Sequence, residues 1–276
     1  MMTSIEVSAS PDSAQWLAIN WIAVKQHVLK LQMRIAKATR EGRHGKAKAL
    51  QWILTHSKSA KLLAVKRVSQ NKGSKTPGID GIIWNSDARC MTAVNQLSRK
   101  GYHAQPLRRI YIPKKNGKLR PLGIPCMIDR AQQALHLLAL EPISETVADL
   151  NSYGFRPNRS AADAIAQCFK CLCQKSSSQW VLEGDIKACF DKIGHQWLID
   201  NIQLDKRMLK QWLGCGYVDK GLFYKTAEGT PQGGIISPTL MLLTLAGLEQ
   251  LVKTIACKTG NRVNFIGYAD DFVITG

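Results

Sequence analysis

Near its end the chain runs Phe265-Ile266-Gly267-Tyr268-Ala269-Asp270-Asp271-Phe272-Val273-Ile274-Thr275, two adjacent carboxylates set in apolar sequence. Residues on both sides favour a buried β ladder, whereas an unpaired buried charge costs several kcal/mol or more. A β-hairpin with Ala269-Asp270-Asp271 at its tip satisfies both demands, with packed strands and a tip open to a cleft. Like charges side by side repel, and divalent cations are the usual means of neutralising them.

A third carboxylate has a comparable setting. Trp180-Val181-Leu182-Glu183-Gly184-Asp185-Ile186 reads as a strand that ends at Asp185. Strand-end carboxylates at Asp185, Asp270 and Asp271 would suit hard, oxygen-seeking cations such as Mg²⁺ and a two-metal phosphoryl-transfer site.

Charge points to the partner. The formal net charge is +18, and the pI is near 9.7. Residues 180–276 carry ten basic and ten acidic residues, so the whole excess lies in residues 1–179, with 28 basic against ten acidic. An acidic site beside a cationic half fits an enzyme that grips a polyanion with one part and reacts with it through the other. Residues 25–75 hold fourteen Lys/Arg and a single acid, Glu41, while residues 99–120 hold eight Lys/Arg and no acid. Lys58, Lys61, Lys66, Arg67, Lys75, Arg108, Arg109, Arg156 and Arg159 are the expected nucleic-acid contacts.

A 45% apolar composition over 276 residues is enough for a substantial core. Neither a signal peptide nor an apolar run of membrane-spanning length is expected, which predicts a cytoplasmic protein with no membrane partner. The eight cysteines then read as reduced thiols. Cys168, Cys171 and Cys173 cluster without a fourth zinc ligand and read as packing residues.

Apolar periodicity predicts helices over residues 13–40, 46–68, 129–140 and 161–173. A hairpin is expected over Gln105–Ile124, turning at Lys114-Lys115-Asn116-Gly117, where Lys and Arg could reach a triphosphate. Thr230-Pro231-Gln232-Gly233-Gly234 forms a tight loop before a long apolar helix that starts near Ser237-Pro238.

In this order, the motifs resemble the group II intron reverse transcriptase/maturases. The resemblance rests on Ser74-Lys75-Thr76-Pro77-Gly78-Ile79-Asp80-Gly81, Leu119-Arg120-Pro121-Leu122-Gly123-Ile124-Pro125, Tyr153-Gly154-Phe155-Arg156-Pro157, Glu183-Gly184-Asp185-Ile186, Cys189-Phe190-Asp191, Thr230-Pro231-Gln232-Gly233-Gly234 and Tyr268-Ala269-Asp270-Asp271. It implies an α+β right hand whose palm is a split βαβ antiparallel sheet flanked by helices. The divisions would be a basic helical N-terminal extension (1–81), fingers (82–179) and an incomplete palm (180–276).

By the same resemblance, Asp185, Asp270 and Asp271 would be catalytic and would hold two Mg²⁺ ions, with Mn²⁺ an alternative. The Ile186 carbonyl would be a further ligand. Lys114 and Arg120 would hold the incoming dNTP, Phe190 would be the gate against a ribose 2′-OH, and Gln232 would touch the nucleotide. Intron RNA as template and a DNA primer or target are the implied partners, with roles in splicing and retrohoming.

Members of the family continue past the Asp-Asp hairpin into more palm, a thumb and a maturase region. The resemblance therefore leads us to expect a truncated chain, or a second chain that supplies the thumb. A non-catalytic RNA-binding remnant is the alternative from another class, and a retron-type or CRISPR-associated reverse transcriptase is a further one.

Overall fold

The structure, a computed structural model, describes residues 11–114, 117–258, 260 and 262–276. Residues 1–10, on which the expected lack of a leader partly rests, and Lys115-Asn116 at the hairpin tip lie outside the described residues.

The basic N-terminal part is helical: α1 (Pro11–Leu17), α2 (Trp21–Arg40), α3 (His44–His56) and α4 (Lys58–Gln70), followed by α5 (Asp87–Gln96). Where periodicity predicted two helices over residues 13–68, there are four. Polar side chains inside the apolar pattern cap new starts: Asn20 Oδ1 accepts from the Ala23 amide at 3.1 Å, and Ser57 Oγ from the Ala60 amide at 3.2 Å. Such a cap stabilises a helix start by about 1 kcal/mol.

The strands β1 (Leu107–Pro113) and β2 (Leu119–Ile124) form the expected antiparallel hairpin, paired from Arg108↔Ile124 to Pro113↔Leu119. The next helix, α6 (Met127–Val147), is far longer than the expected 129–140 because it runs through Pro142. Proline removes the hydrogen bond to the carbonyl four residues back. That carbonyl, of Leu138, instead accepts from Gln32 Nε2 of α2 at 2.8 Å. A side chain from the N-terminal layer therefore supplies what the sequence of α6 lacks.

Two cores meet on α6. One gathers α2–α5 around Met127, Ala131, Ala134 and Leu135; the other gathers Leu137 and Leu140 with residues of the C-terminal half. Buried Arg130 reaches from α6 to the carbonyls of Gly73 (2.9 Å), Thr76 (2.6 Å) and Pro125 (2.8 Å), pinning the glycine-rich loop after α4.

The C-terminal half adds α7 (Ala161–Leu172), β3 (Val181–Asp185), α8 (Cys189–Lys192), α9 (His195–Asn201) and α10 (Lys206–Gly214). It continues through β4 (Tyr217–Asp219), β5 (Leu222–Tyr224), α11 (Ser237–Leu245), α12 (Leu248–Lys258), β6 (Asn264–Tyr268) and β7 (Asp271–Thr275). Two sheets result, in strand orders β2-β1-β4-β5 and β3-β7-β6, so β4 and β5 extend the β1–β2 hairpin rather than the sheet of carboxylates. The second sheet is antiparallel throughout, and its last strand, β7, is central.

By length and composition Ser237–Lys258 is apolar enough to cross a membrane, contrary to the sequence expectation. Here the stretch is two helices, broken at Ala246-Gly247, where Gly247 takes φ +94°. The first packs Leu240, Met241 and Leu242 inward.

Candidate active site

Backbone pairing brings together the strand ends that carry the carboxylates. Asp185, the last residue of β3, pairs with Asp271, the first of β7, and the Ile186 amide donates to the Asp270 carbonyl at 3.0 Å. The turn between β6 and β7 places Ala269 at φ +59°, and Ala188, just after Asp185, sits at φ +55°. Left-handed backbone at a non-glycine residue costs about 1–2 kcal/mol, and both instances flank the carboxylates.

Two glycines allow the close packing behind them. A Cβ on Gly184 would lie 2.3 Å from the Phe272 ring, and one on Gly154 would lie 2.1 Å from the Ala269 nitrogen. The Tyr153-Gly154-Phe155 segment therefore lies directly on the hairpin turn, tied by the Tyr153 amide to the Gly267 carbonyl at 2.8 Å.

Burial, then Asp270, Asp185 and Glu183, push the Asp271 carboxyl above its ordinary range. Among the described residues none of the three aspartates has an ion-pair partner. Their oxygen donors and mutual repulsion suit a hard divalent cation. Nevertheless, among the described residues no three acidic, His or Cys side chains already converge as a finished ligand set.

Beside them, Phe190 of α8 meets Phe155 edge to face, with centroids 5.8 Å apart. The Phe190 carbonyl accepts from the Thr230 amide at 2.7 Å, which fixes the start of the Pro-Gln-Gly-Gly loop. Arg120 Nε donates to Gln232 Oε1 at 2.9 Å, while Gln232 Nε2 donates to Asp191 Oδ1 and Oδ2 at 3.2 and 3.3 Å. The loop backbone is tied in as well, through the Gly123 amide and the Gln232 carbonyl at 2.8 Å. At Gly233 (φ +114°) a Cβ would lie 2.7 Å from the Gly123 carbonyl oxygen, so glycine is needed for this approach. Gln133 of α6 holds the far end, accepting from the Ile235 amide at 2.8 Å.

Compared with known proteins, residues 16–97 match the N-terminal domain of reverse transcriptase, and residues 112–276 match the reverse transcriptase (RNA-dependent DNA polymerase) family. The chain belongs to the reverse transcriptase family. Protein YkfC of Escherichia coli is 40% identical over 193 residues, covering 65% of this chain and 51% of its own. Group II intron-encoded protein LtrA of Lactococcus lactis is 38% identical over 208 residues, covering 71% of this chain and 34% of its own. The chain thus spans about half of one relative and a third of the other. A solved Candida albicans telomerase, in complex with a fragment of telomeric RNA, overlays at a TM-score of 0.39 with 13% identity, covering 64% of this chain and 39% of that one.

The remaining expected contacts separate into three groups. Lys58, Lys75, Lys114 and Arg159 are exposed, with Arg159 over the Tyr153 ring at 5.4 Å. Lys61 is half-buried, Lys66 lies 3.8 Å over the Trp21 ring, and Arg109 lies 3.8 Å over the Tyr217 ring. Arg67 is paired with Glu141 at 3.5 Å, and Arg108 Nε is buried without a hydrogen-bond partner among the described residues.

Arg156 departs from the expectation of a nucleic-acid contact. It is buried, with its guanidinium on Glu145 (3.0 Å) and on the carbonyls of Asp149 (2.9 Å) and Ser152 (2.8 Å). Its fork anchors the loop that carries Phe155, and it does not face a ligand. Conversely, Asp191 and Phe155 belong to the site although the sequence motifs alone assign them no role. Their signal is adjacency to Phe190 and to Gly154 within those motifs.

Proposed function

We propose that this chain carries the nucleotidyl-transfer chemistry of an RNA-directed DNA polymerase of the group II intron-encoded kind, with intron RNA as its binding partner and a maturase role in splicing and retrohoming. The observation that supports it most is the backbone register that sets Asp185 opposite Asp271 and ties Ile186 to Asp270. Asp185, Asp270, Asp271 and the Ile186 carbonyl would hold Mg²⁺ or Mn²⁺. When bound, such ions supply positive charge to the phosphates and lower the pKa of a coordinated hydroxyl.

The chain's own residues do the rest. Arg120 and the exposed Lys114 offer cationic donors to a triphosphate, and Arg120 is held in place by Gln232. Phe190, braced by Phe155, restricts the space for a ribose 2′-OH. The primer 3′-OH attacks the α-phosphate in line and pyrophosphate leaves. The basic surface of residues 25–120 holds the RNA, and the protein acts in the cytoplasm.

A second reading, an RNA-holding protein without catalysis, draws on the location of the entire +18 charge in residues 1–179. Extension of a DNA primer on an RNA template by the full chain separates the two. Synthesis from dNTPs that stops on chelation of divalent cations supports the first; RNA binding with no synthesis supports the second.

A further inference from the structure

Away from the aspartates, a cavity of about 850 Å³ opens between α3 and the segment joining α9 to α10. It is lined by the cationic Lys48, Arg99, Lys206 and Arg207, by the acids Asp200 and Asp205, and by Trp52. Its volume lies within the range of about 300–1,000 Å³ typical of ligand sites. The walls are tied together. Gln51 Nε2 donates to the Gln203 carbonyl at 2.8 Å and to the Ala139 carbonyl at 3.3 Å, and the side chains of His44 and Gln203 meet at 2.9 Å.

The lining has two features that internal packing uses only in part. Trp52 is 51% exposed, a large apolar ring on the wall of the groove. His56 stacks on it with centroids 3.8 Å apart and 30° between the planes, and the Arg99 guanidinium lies 5.7 Å from the ring centre. The charges are unbalanced too. Asp205 is engaged by Arg99 and by the amides of Arg207 and Met208, so its negative charge is already matched. Asp200, held by Gln196, remains as the counter-charge to Lys48, Lys206 and Arg207. Burial, and secondarily the nearby Lys48, lower the Lys206 ammonium below its ordinary range, with Asp200 opposing.

We propose that this groove is a binding site for single-stranded RNA, with an unpaired base stacked on Trp52 and the flanking phosphates held by Lys48, Lys206 and Arg207. The inference rests on the RNA-binding part of the proposed function and adds a site separate from the catalytic aspartates. A braced aromatic face beside cationic side chains is the combination that holds unpaired bases without reading their sequence.

The test is the affinity of the full chain for oligoadenylate and for an abasic ribose-phosphate oligomer of equal length, as the salt concentration is varied. Trp52→Ala is expected to weaken oligoadenylate binding about tenfold or more and leave the abasic oligomer unchanged, and Trp52→Phe is expected to restore most of the loss. The Lys48→Gln/Lys206→Gln double variant should lower the slope of log affinity against log salt by about 1.4, roughly 0.7 for each phosphate that is no longer neutralised.

Equal losses for both oligomers would make Trp52 a structural residue and overturn the site. So would unchanged oligoadenylate affinity in Trp52→Ala while the wild-type chain binds, an outcome that leaves the proposed function standing. Trp52-dependent binding of polyglutamate in preference to oligoadenylate would identify an acidic protein partner instead. If the wild-type chain fails to bind oligoadenylate at all, the site and the RNA-binding reading fall together.

Discussion

Arg120 and Gln232, 112 residues apart in sequence, are joined side chain to side chain at 2.9 Å, and the same Gln232 amide reaches the Asp191 carboxylate. The amide therefore bridges a cation on the β1–β2 hairpin and an anion on α8. If both residues serve the incoming nucleotide, they serve it as one unit. Arg120→Ala and Gln232→Ala should each raise the KM for dNTPs, and the double variant should fall short of the product of the two effects, with a coupling of about 0.5–3 kcal/mol. Steady-state primer extension checks this, and strictly additive effects would mean that the contact is incidental.

The Phe155–Phe190 pair makes a graded prediction. Phe190→Ala should admit ribonucleotides by removing the clash beside C2′, and relax selectivity more than it slows dNTP use. Phe155→Ala should do the same more weakly, because it removes the brace and leaves the gate ring. An edge-to-face aromatic pair contributes about 0.5–1.5 kcal/mol, which limits the Phe155 effect to roughly tenfold. The readout is the ratio of rNTP to dNTP incorporation in each variant.

Much of this site is legible in the chain itself. Asp270 and Asp271 stand out because charge interrupts a strand pattern; the structure places Asp270 in the hairpin turn, as expected, and Asp271 at the first position of the strand that follows. Asp185 is recognisable as a strand end, but its register against Asp271 is a long-range pairing that local sequence does not encode. Helix boundaries are less legible. Asn20 and Ser57 are polar positions within an apolar period, and only their cap geometry marks them as breaks. Pro142 leaves the Leu138 carbonyl without its intrahelical donor, and the side chain that supplies one, Gln32, is far away in sequence. Arg156 misleads because arginine suits both a phosphate and a buried carboxylate, and Glu145 is the partner that decides. The Trp52 groove is invisible in the sequence for a related reason, since its two walls lie about 150 residues apart.

Stability should depend on pH through two buried groups that oppose each other. Burial lowers His136 from 6.5 to about 4, so the unfolded chain takes up a proton that the folded one refuses, and stability falls as pH drops through that window. Burial raises Asp129 from 3.8 to about 6 despite its hydrogen bonds from Tyr102 and the Gln105 amide. Here the folded chain takes up the proton first, and stability rises as pH drops from about 6 toward 3.8. Asp129→Asn removes the second effect. Denaturant unfolding should show the deficit of this variant relative to wild type growing on acidification from pH 7 to pH 4, by an amount on the order of 2 kcal/mol. A deficit that shrinks would reverse the sign assigned to Asp129.

The central claim is that the aspartates perform the chemistry and the basic half grips the RNA. It is tested most directly by measuring primer extension and RNA affinity on the same preparations of wild type, Asp185→Asn and Asp270→Asn. The account predicts dNTP- and Mg²⁺-dependent extension by the wild-type chain, none above the metal-chelated background in either variant, and RNA affinity unchanged in both. Extension that survives either substitution, or RNA affinity lost along with it, would contradict the account.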